Sequence, residues 1–260
     1  MKLKHATTGP SLVDRHVSMH NDLLAASHGL KTVAEQRIVK SCAAKLDSVR
    51  LDSHNRYKVR LTAQEYADTF EIDMSTAYIQ LKSGCESLAE RWITWSEPVQ
   101  RGAVAVHKDR WVSGATYVEK AGWVELRFSP EATPYLMVLR GNHTTYLLKQ
   151  ASGLRSIYSW RLLELLMQFK DTGWRQMPIR EFLHAMDAKP SHLQNFKDAR
   201  RQIIEVAVEE LQKKDGWLIN WSTIKEGRKV TQIRFEFSRN PQGQLALEDT
   251  SPPVEAEQCN

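Results

Sequence analysis

Two stretches of this chain, 116 residues apart, carry the same order of signals, and that order restricts the fold more than any other feature. Each has a capped amphipathic helix, a short helix, a turn, a longer helix and an alternating hairpin. In the first stretch, Thr32 and Glu35 have the S/T-x-x-E spacing that closes a helix start. Ile38, Val39, Cys42, Ala43 and Leu46 follow as one apolar stripe, so a helix is expected from Thr32 to Leu46. Thr62 and Glu65 repeat the cap and open a short helix through Tyr66 and Phe70. After the turn Glu71-Ile72-Asp73, a helix from about Ser75 to Glu90 places Ala77, Tyr78, Leu81, Cys85 and Leu88 inward. Val124, Leu126 and Phe128 alternate with Glu125 and Arg127, as in a half-buried strand. Lys120-Ala121-Gly122 reads as its turn, Val112 to Val118 as its partner, and Trp92 to Trp95 as a candidate third strand.

In the second stretch, Ser156 caps a helix with Tyr158, Leu162, Leu165, Leu166 and Phe169 on one face. Pro178 starts a short helix containing Glu181, Phe182, Leu183 and Met186, where its missing N–H costs little. Asp187 to Pro190 make the turn. Ser191 opens a long helix with Leu193, Phe196, Ile203, Ala207 and Leu211 inward, ended by Asp215-Gly216. Trp217 to Trp221 and Val230 to Phe237 are strands joined by a turn from Lys225 to Lys229. Glu65-Tyr66 corresponds to Glu181-Phe182.

This is the order of a winged helix, read twice. The expected fold is α+β, mainly α, with two tandem winged-helix domains. The chain of 260 residues has room for both cores. The expected division is a flexible N-terminus over 1–12, a first domain over 13–140, a linker over 141–152, a second domain over 153–240 and a disordered acidic tail over 241–260.

The tail holds Glu248, Asp249, Glu255 and Glu257 and no Lys or Arg, so the net charge of +5 becomes +9 for the rest of the chain. Such an excess suits a polyanionic partner. No apolar run is long enough to span a bilayer, and Met1-Lys2-Leu3-Lys4-His5 lacks the apolar core of a secretion signal. Cys42, Cys85 and Cys259 are widely spaced and show no disulfide framework, so a reducing cytoplasm is the expected setting.

In a helix-turn-helix the second helix enters the major groove, where Arg and Lys donate to guanine and Asn or Gln pair with adenine. Gln194, Asn195, Lys197, Asp198, Arg200 and Arg201 supply that chemistry on the second long helix. A solvated charged face is the alternative. In the first domain, Ser75, Thr76, Gln80 and Lys82 are the outward candidates, for weak base reading, phosphate contact or assembly. Lys225, Arg228 and Lys229 sit at the second hairpin tip, where a wing meets phosphate or the minor groove. Of the eight tryptophans, Trp92, Trp95, Trp111, Trp123, Trp160, Trp217 and Trp221 fall in expected elements, so most are assigned to cores instead of to base stacking.

Enzyme signals are missing. There is no G-x-x-x-x-G-K-[ST] loop, no H-E-x-x-H, no G-x-S-x-G and no His-x-His pair. His184 and His192 read as surface or packing histidines. No catalytic residue, metal ligand or cofactor is expected.

Four stretches resemble the plasmid replication initiator (Rep) family of iteron-binding, tandem winged-helix proteins. His16 to Ala25, then Leu30 to Ile38, look like the family's opening Asn-x-Leu-x-x-Ala segment and its Leu-x-x-x-Glu-x-Arg helix. Ser156 to Leu166 is similar to the Ser-x-Tyr-x-x-Arg-x-Tyr-Glu-Leu-Leu block, with Leu163 where Tyr is usual. Phe196 to Ile204, continuing to Ala207, Glu210 and Leu211, looks like the recognition helix of the second domain. Gly227 to Val230, leading to Ile233-Arg234-Phe235, matches the closing hairpin.

The resemblance implies binding of direct repeats (iterons) in double-stranded origin DNA, melting of adjacent A·T-rich DNA and recruitment of the host replicative helicase, with the host chromosomal initiator as a further partner. It implies a monomer–dimer equilibrium, dimerisation and auxiliary DNA contact through the first domain, and repression of the chain's own operator. It points to Lys197, Arg200 and Arg201 as iteron contacts. A transcriptional regulator of the same fold is the alternative, and a nicking or priming enzyme is the reading from another class.

Overall fold

The cap at Thr32 forms as its spacing requires. In the computed structural model, which describes residues 11–46, 57–118, 121–137 and 142–240, the Thr32 hydroxyl accepts the Glu35 N–H at 3.1 Å. The Glu35 carboxylate takes the N–H groups of Lys31 and Thr32 in return. Strand β1 (His16–His20) and helix α1 (Asn21–Ala25) precede this helix, α2 (Val33–Ala43), whose expected apolar stripe is buried. Leu12 is also buried, so the segment expected to be flexible over 1–12 already belongs to the folded body at that residue.

Strand β2 (Lys58–Thr62) runs directly into α3 (Ala63–Phe70) through the second capping box. Helix α4 (Met74–Leu88) follows the turn. Strands β3 (Trp92–Pro98) and β4 (Val104–Arg110) form a separate hairpin, so the Trp92–Trp95 stretch is extended but does not join the wing sheet. The wing proper is β5 (Val112–Val118) with β6 (Trp123–Phe128). Tyr78, expected inward, is 39% exposed, because its ring lies over Gly122 of the wing turn. Gly122 has φ +64, and a Cβ there would come within 2.8 Å of the Tyr78 ring. Lys120 lies outside the described residues.

Helix α5 (Thr133–Leu136) leads to strand β7 (His143–Leu147) and helix α6 (Lys149–Ser152). Residues 141–152 are therefore not a free linker over their described part. β7 pairs antiparallel with β1 from His16↔Leu147 to His20↔His143. Thr144 and Tyr146 face inward, a period-two signal too short to stand out in the sequence.

The second unit is α7 (Ile157–Met167), β8 (Trp174–Pro178), α8 (Ile179–Ala185), α9 (Pro190–Gln194), α10 (Phe196–Ala199), a π-helical turn Arg200–Ile204, α11 (Glu205–Asp215), β9 (Trp217–Glu226) and β10 (Lys229–Arg239). Its strand order β8-β10-β9 reproduces β2-β6-β5. In both units the strand before the short helix pairs with the last strand. Pro178 caps α8 from the end of edge strand β8, a position that needs no ladder N–H.

The long second helix departs from expectation. It is broken at Asn195, whose φ of −128 and ψ of 97 are not helical. The Asn195 side chain accepts the Lys197 N–H at 3.1 Å, so the residue caps α10 instead of continuing α9. Leu193, expected inward, is consequently 55% exposed. Phe169 is also exposed, because α7 ends at Met167.

The two halves meet along α7. Trp160, Leu162, Leu163, Leu165 and Leu166 are all buried, and Leu163 packs where the family carries Tyr. Within this junction Lys40 Nζ lies 2.7 Å from Glu164, and Arg161 lies 2.8 Å from the same carboxylate. Tyr146 donates to Glu164 at 3.0 Å. All four side chains are buried, and burial pushes Lys40 down to about 8 despite its carboxylate partner. Replacing such a network by apolar groups can be neutral, but removing one member strands a charge and costs about 3–5 kcal/mol.

Candidate nucleic-acid interface

In the second unit the helix-turn-helix runs from α8 to α11, and its wing is the β9–β10 hairpin. Gly227 turns the hairpin at φ +60. Lys229 opens β10 beside that turn, Lys225 is the next-to-last residue of β9, and both are exposed, as is Arg228. Between α9–α10 and the wing lies a cleft of about 1620 Å³. It is lined by eight Lys or Arg residues and one acid, Asp187, a balance that concentrates positive potential.

The cleft brings together Gln194, Lys197, Arg200, Lys225, Arg228 and Lys229 of the expected residues. Asn195, Asp198 and Arg201 stand on the same helical run outside its lining. Arg201 has 71% of its side chain exposed and reaches Asp198 at 4.0 Å. Asp198 also accepts from the Asn195 side chain at 2.8 Å, so this acid orients two candidate base readers. Arg200 is held more firmly. It pairs with Glu205 at 2.7 Å, and its guanidinium sits 5.7 Å from the Trp221 ring. Arg200 and Arg201 both belong to the π-helical turn, a local widening that often occurs at functional sites. Lys31, Arg180 and Lys189 line the cleft too and were missed in the sequence. Arg180 at the start of α8 and Lys189 before α9 could have been found from their places in the helix-turn-helix.

The first unit differs. The Ser75 and Thr76 hydroxyls both donate to Asp73, which caps α4 and also accepts the Thr76 N–H at 2.8 Å. These bonds hold the Asp73 carboxyl well below the usual carboxylate range. Gln80 faces the interior side and accepts from Tyr66 at 2.7 Å. Three of the four outward candidates thus make hydrogen bonds within the fold. Lys82 is exposed, and so is the apolar side chain of Ile79, at 68%.

The tryptophans divide. Trp111, Trp160 and Trp217 are core residues. Trp92 and Trp123 instead lie under the guanidinium groups of Arg110 and Arg60, each at 3.9 Å, and Trp95 stacks on His107. Trp221 is only partly buried beside the cleft. Trp95 and Trp221 also pack against the core, so five of these seven rings serve it as expected, while long cationic side chains cover the other two, Trp92 and Trp123, from the solvent side.

His184 bonds the Thr94 carbonyl, and His192 is buried between the Lys189 N–H and Gln202. Among the described residues no group of three or more His, Cys, Asp or Glu side chains is arranged to hold a metal ion. No described helix is long and apolar enough to cross a membrane.

Comparison with known proteins agrees with this architecture. A family model described as initiator replication protein, WH1, matches residues 16–167, and one described as initiator Rep protein, WH2, matches residues 178–237. The PI protein of Escherichia coli is 26% identical over 241 residues, spanning 78% of this chain and 76% of its own. An uncharacterized 27.6 kDa protein of Escherichia coli is 23% identical over 189 residues, spanning 72% and 77%. The crystal structure of Pi initiator protein in complex with iteron DNA superposes with a TM-score of 0.69 at 21% identity, covering 88% of this chain and 98% of that one, a likeness of fold. The matched segments take in both winged helices, and the chain belongs to the family of initiator replication proteins.

Proposed function

We propose that this protein is a plasmid replication initiator that binds iteron repeats in double-stranded DNA and catalyses no reaction. The observation that carries this reading is the basic cleft between recognition helix and wing in the second unit of a chain from the initiator family. In this reading Gln194, Asn195, Lys197 and Arg201 read base edges, and Asp198 orients Arg201 and Asn195. Arg200, Lys225, Arg228 and Lys229 hold phosphates, with Arg180 and Lys189 extending the track. The relative solved with iteron DNA supports the choice of repeats as the target.

The first unit, taken as residues 13–140, makes the auxiliary contact and the dimer. Ile79 offers an apolar contact to a thymine methyl, and Lys82 a phosphate contact. Binding melts adjacent A·T-rich DNA and brings in the host replicative helicase and chromosomal initiator. As a dimer the protein represses its own operator, and its setting is the cytoplasm.

Plasmid maintenance tests this. Supplied in trans, the protein should sustain a plasmid whose origin consists of its cognate repeats. Loss of that plasmid, with folded protein present, would leave a regulator of transcription.

A further inference from the structure

We propose that Asp187 is a positioning residue that fixes the register of the second recognition helix against the first unit. This rests on the function proposed above.

Asp187 stands in the turn between α8 and α9, three residues before the helix start at Pro190. Its carboxylate reaches across to the first unit. It accepts the Ser27 hydroxyl, the His28 N–H at 3.2 Å and the Gly29 N–H at 3.1 Å. One acid thus satisfies three donors of a bend 160 residues away in sequence.

That bend is itself immobilised. Ser27 and Thr94 exchange backbone hydrogen bonds, each 2.9 Å, which tie it to β3. Gly29 has φ +61, and a Cβ there would lie 2.6 Å from the Trp92 carbonyl oxygen, so the bend fits closely against the strand. His184 of α8 bonds the Thr94 carbonyl at 3.1 Å, beside the Asp187 contact.

Arg161 grips the preceding turn independently. It donates to the Leu24 and Ala26 carbonyls at 2.8 and 2.9 Å and to Ala185, the last residue of α8, at 2.8 Å. The helix-turn-helix of the second unit is therefore bolted to the first at its turn, through His184, Ala185 and Asp187 at the end of α8 and just after it. Asp187 is the bolt nearest the reading helix, and it lines the basic cleft. A protein that touches one repeat with two units needs a fixed spacing between them, because binding strength falls once the geometry no longer lets both engage.

Removing the carboxylate should loosen spacing without unfolding the chain, since the Lys40–Glu164–Arg161 cluster stays. Asp187→Gly keeps the left-handed backbone and deletes only the side chain. Asp187→Asn retains one acceptor and should fall between. The probes are short duplexes carrying one repeat protected by the wild-type protein, and the same repeat with one base pair inserted or deleted at its centre. Wild type should bind the altered repeats at least ~10-fold more weakly than the intact one. Asp187→Gly should bind the intact repeat more weakly but discriminate by no more than about threefold, at an unchanged unfolding temperature. An equal loss on all three duplexes, with wild-type discrimination kept, would overturn the inference. If the wild-type protein protects no repeat, the proposed function falls first and this inference with it.

Discussion

Glu71 and Asp187 stand 116 residues apart and share one backbone conformation, with φ of 50 and 51. Each sits in the turn of its helix-turn-helix. Each turn closes with the same bond, Ile72 N–H to Ala67 and Ala188 N–H to Leu183, a spacing of five residues in both. The two units thus repeat a helix-ending motif in which an L-residue occupies the position that glycine usually fills. Glu71 is exposed, whereas Asp187 uses its side chain to join the units.

The shared turn predicts an asymmetry at Glu71. Glu71→Gly should leave stability close to wild type, because relief of strain offsets added freedom in the unfolded chain. Glu71→Val should cost about 1–2 kcal/mol, since a β-branched side chain resists the left-handed region. Chemical denaturation would measure both, and an unaffected Val variant would contradict the turn.

Base reading and phosphate contact separate by mutation. Arg201→Ala should cost about 1–3 kcal/mol on the cognate repeat and little on unrelated DNA. Arg228→Ala or Lys229→Ala should weaken binding to every sequence and lower the slope of log K against log salt by about 1 each. Anisotropy titrations at several salt concentrations distinguish the two patterns. Equal behaviour of Arg201 and the wing residues would remove Arg201 from the bases.

Much of this was legible from residue order. The caps at Thr32 and Thr62, the short helices and both wing hairpins stand where spacing and alternation put them. The edge strands β2 and β8 were not, because five-residue strands flanking a cap give too little pattern. The break at Asn195 was hidden because Leu193 and Phe196 fit a continuous stripe, while the side-chain cap that interrupts it depends on three-dimensional geometry. In the second unit Gln194, Lys197, Arg200, Lys225, Arg228 and Lys229 come together in one cleft because they lie on one helical run and one hairpin, whereas Asn195, Asp198 and Arg201 stand outside it. In the first unit Ser75 and Thr76 bond the cap residue Asp73 and Gln80 bonds Tyr66 of the adjacent helix, roles that polar side chains on α4 fill as readily as an outward one.

The first unit's contact is testable by chemistry on the DNA. Deoxyuridine in place of thymidine removes the C5 methyl and nothing else. Scanning the repeat, at least one such replacement should weaken wild-type binding by about 1 kcal/mol and have no effect on Ile79→Ala. If every replacement affects both proteins alike, Ile79 does not meet a thymine.

The buried junction makes a pH prediction. Lys40 has its pKa lowered in the folded state, from 10.5 to about 8, chiefly by burial. Between those values the unfolded chain binds more protons at this site, so stability rises with pH there. Lys40→Met should lose this contribution. The difference in unfolding free energy between wild type and variant, followed from pH 7 to 11, should move in favour of wild type as pH rises above about 8. A difference independent of pH would contradict a lowered Lys40.

The central claim is that the two winged helices together recognise repeated double-stranded sites. Nuclease footprinting of the purified full chain on the DNA adjoining its own gene tests it most directly. The expected result is a ladder of equal protected segments at regular spacing in one orientation, lost when Arg201 is replaced by Ala. Protection of a single inverted repeat alone, or none at all, would contradict it.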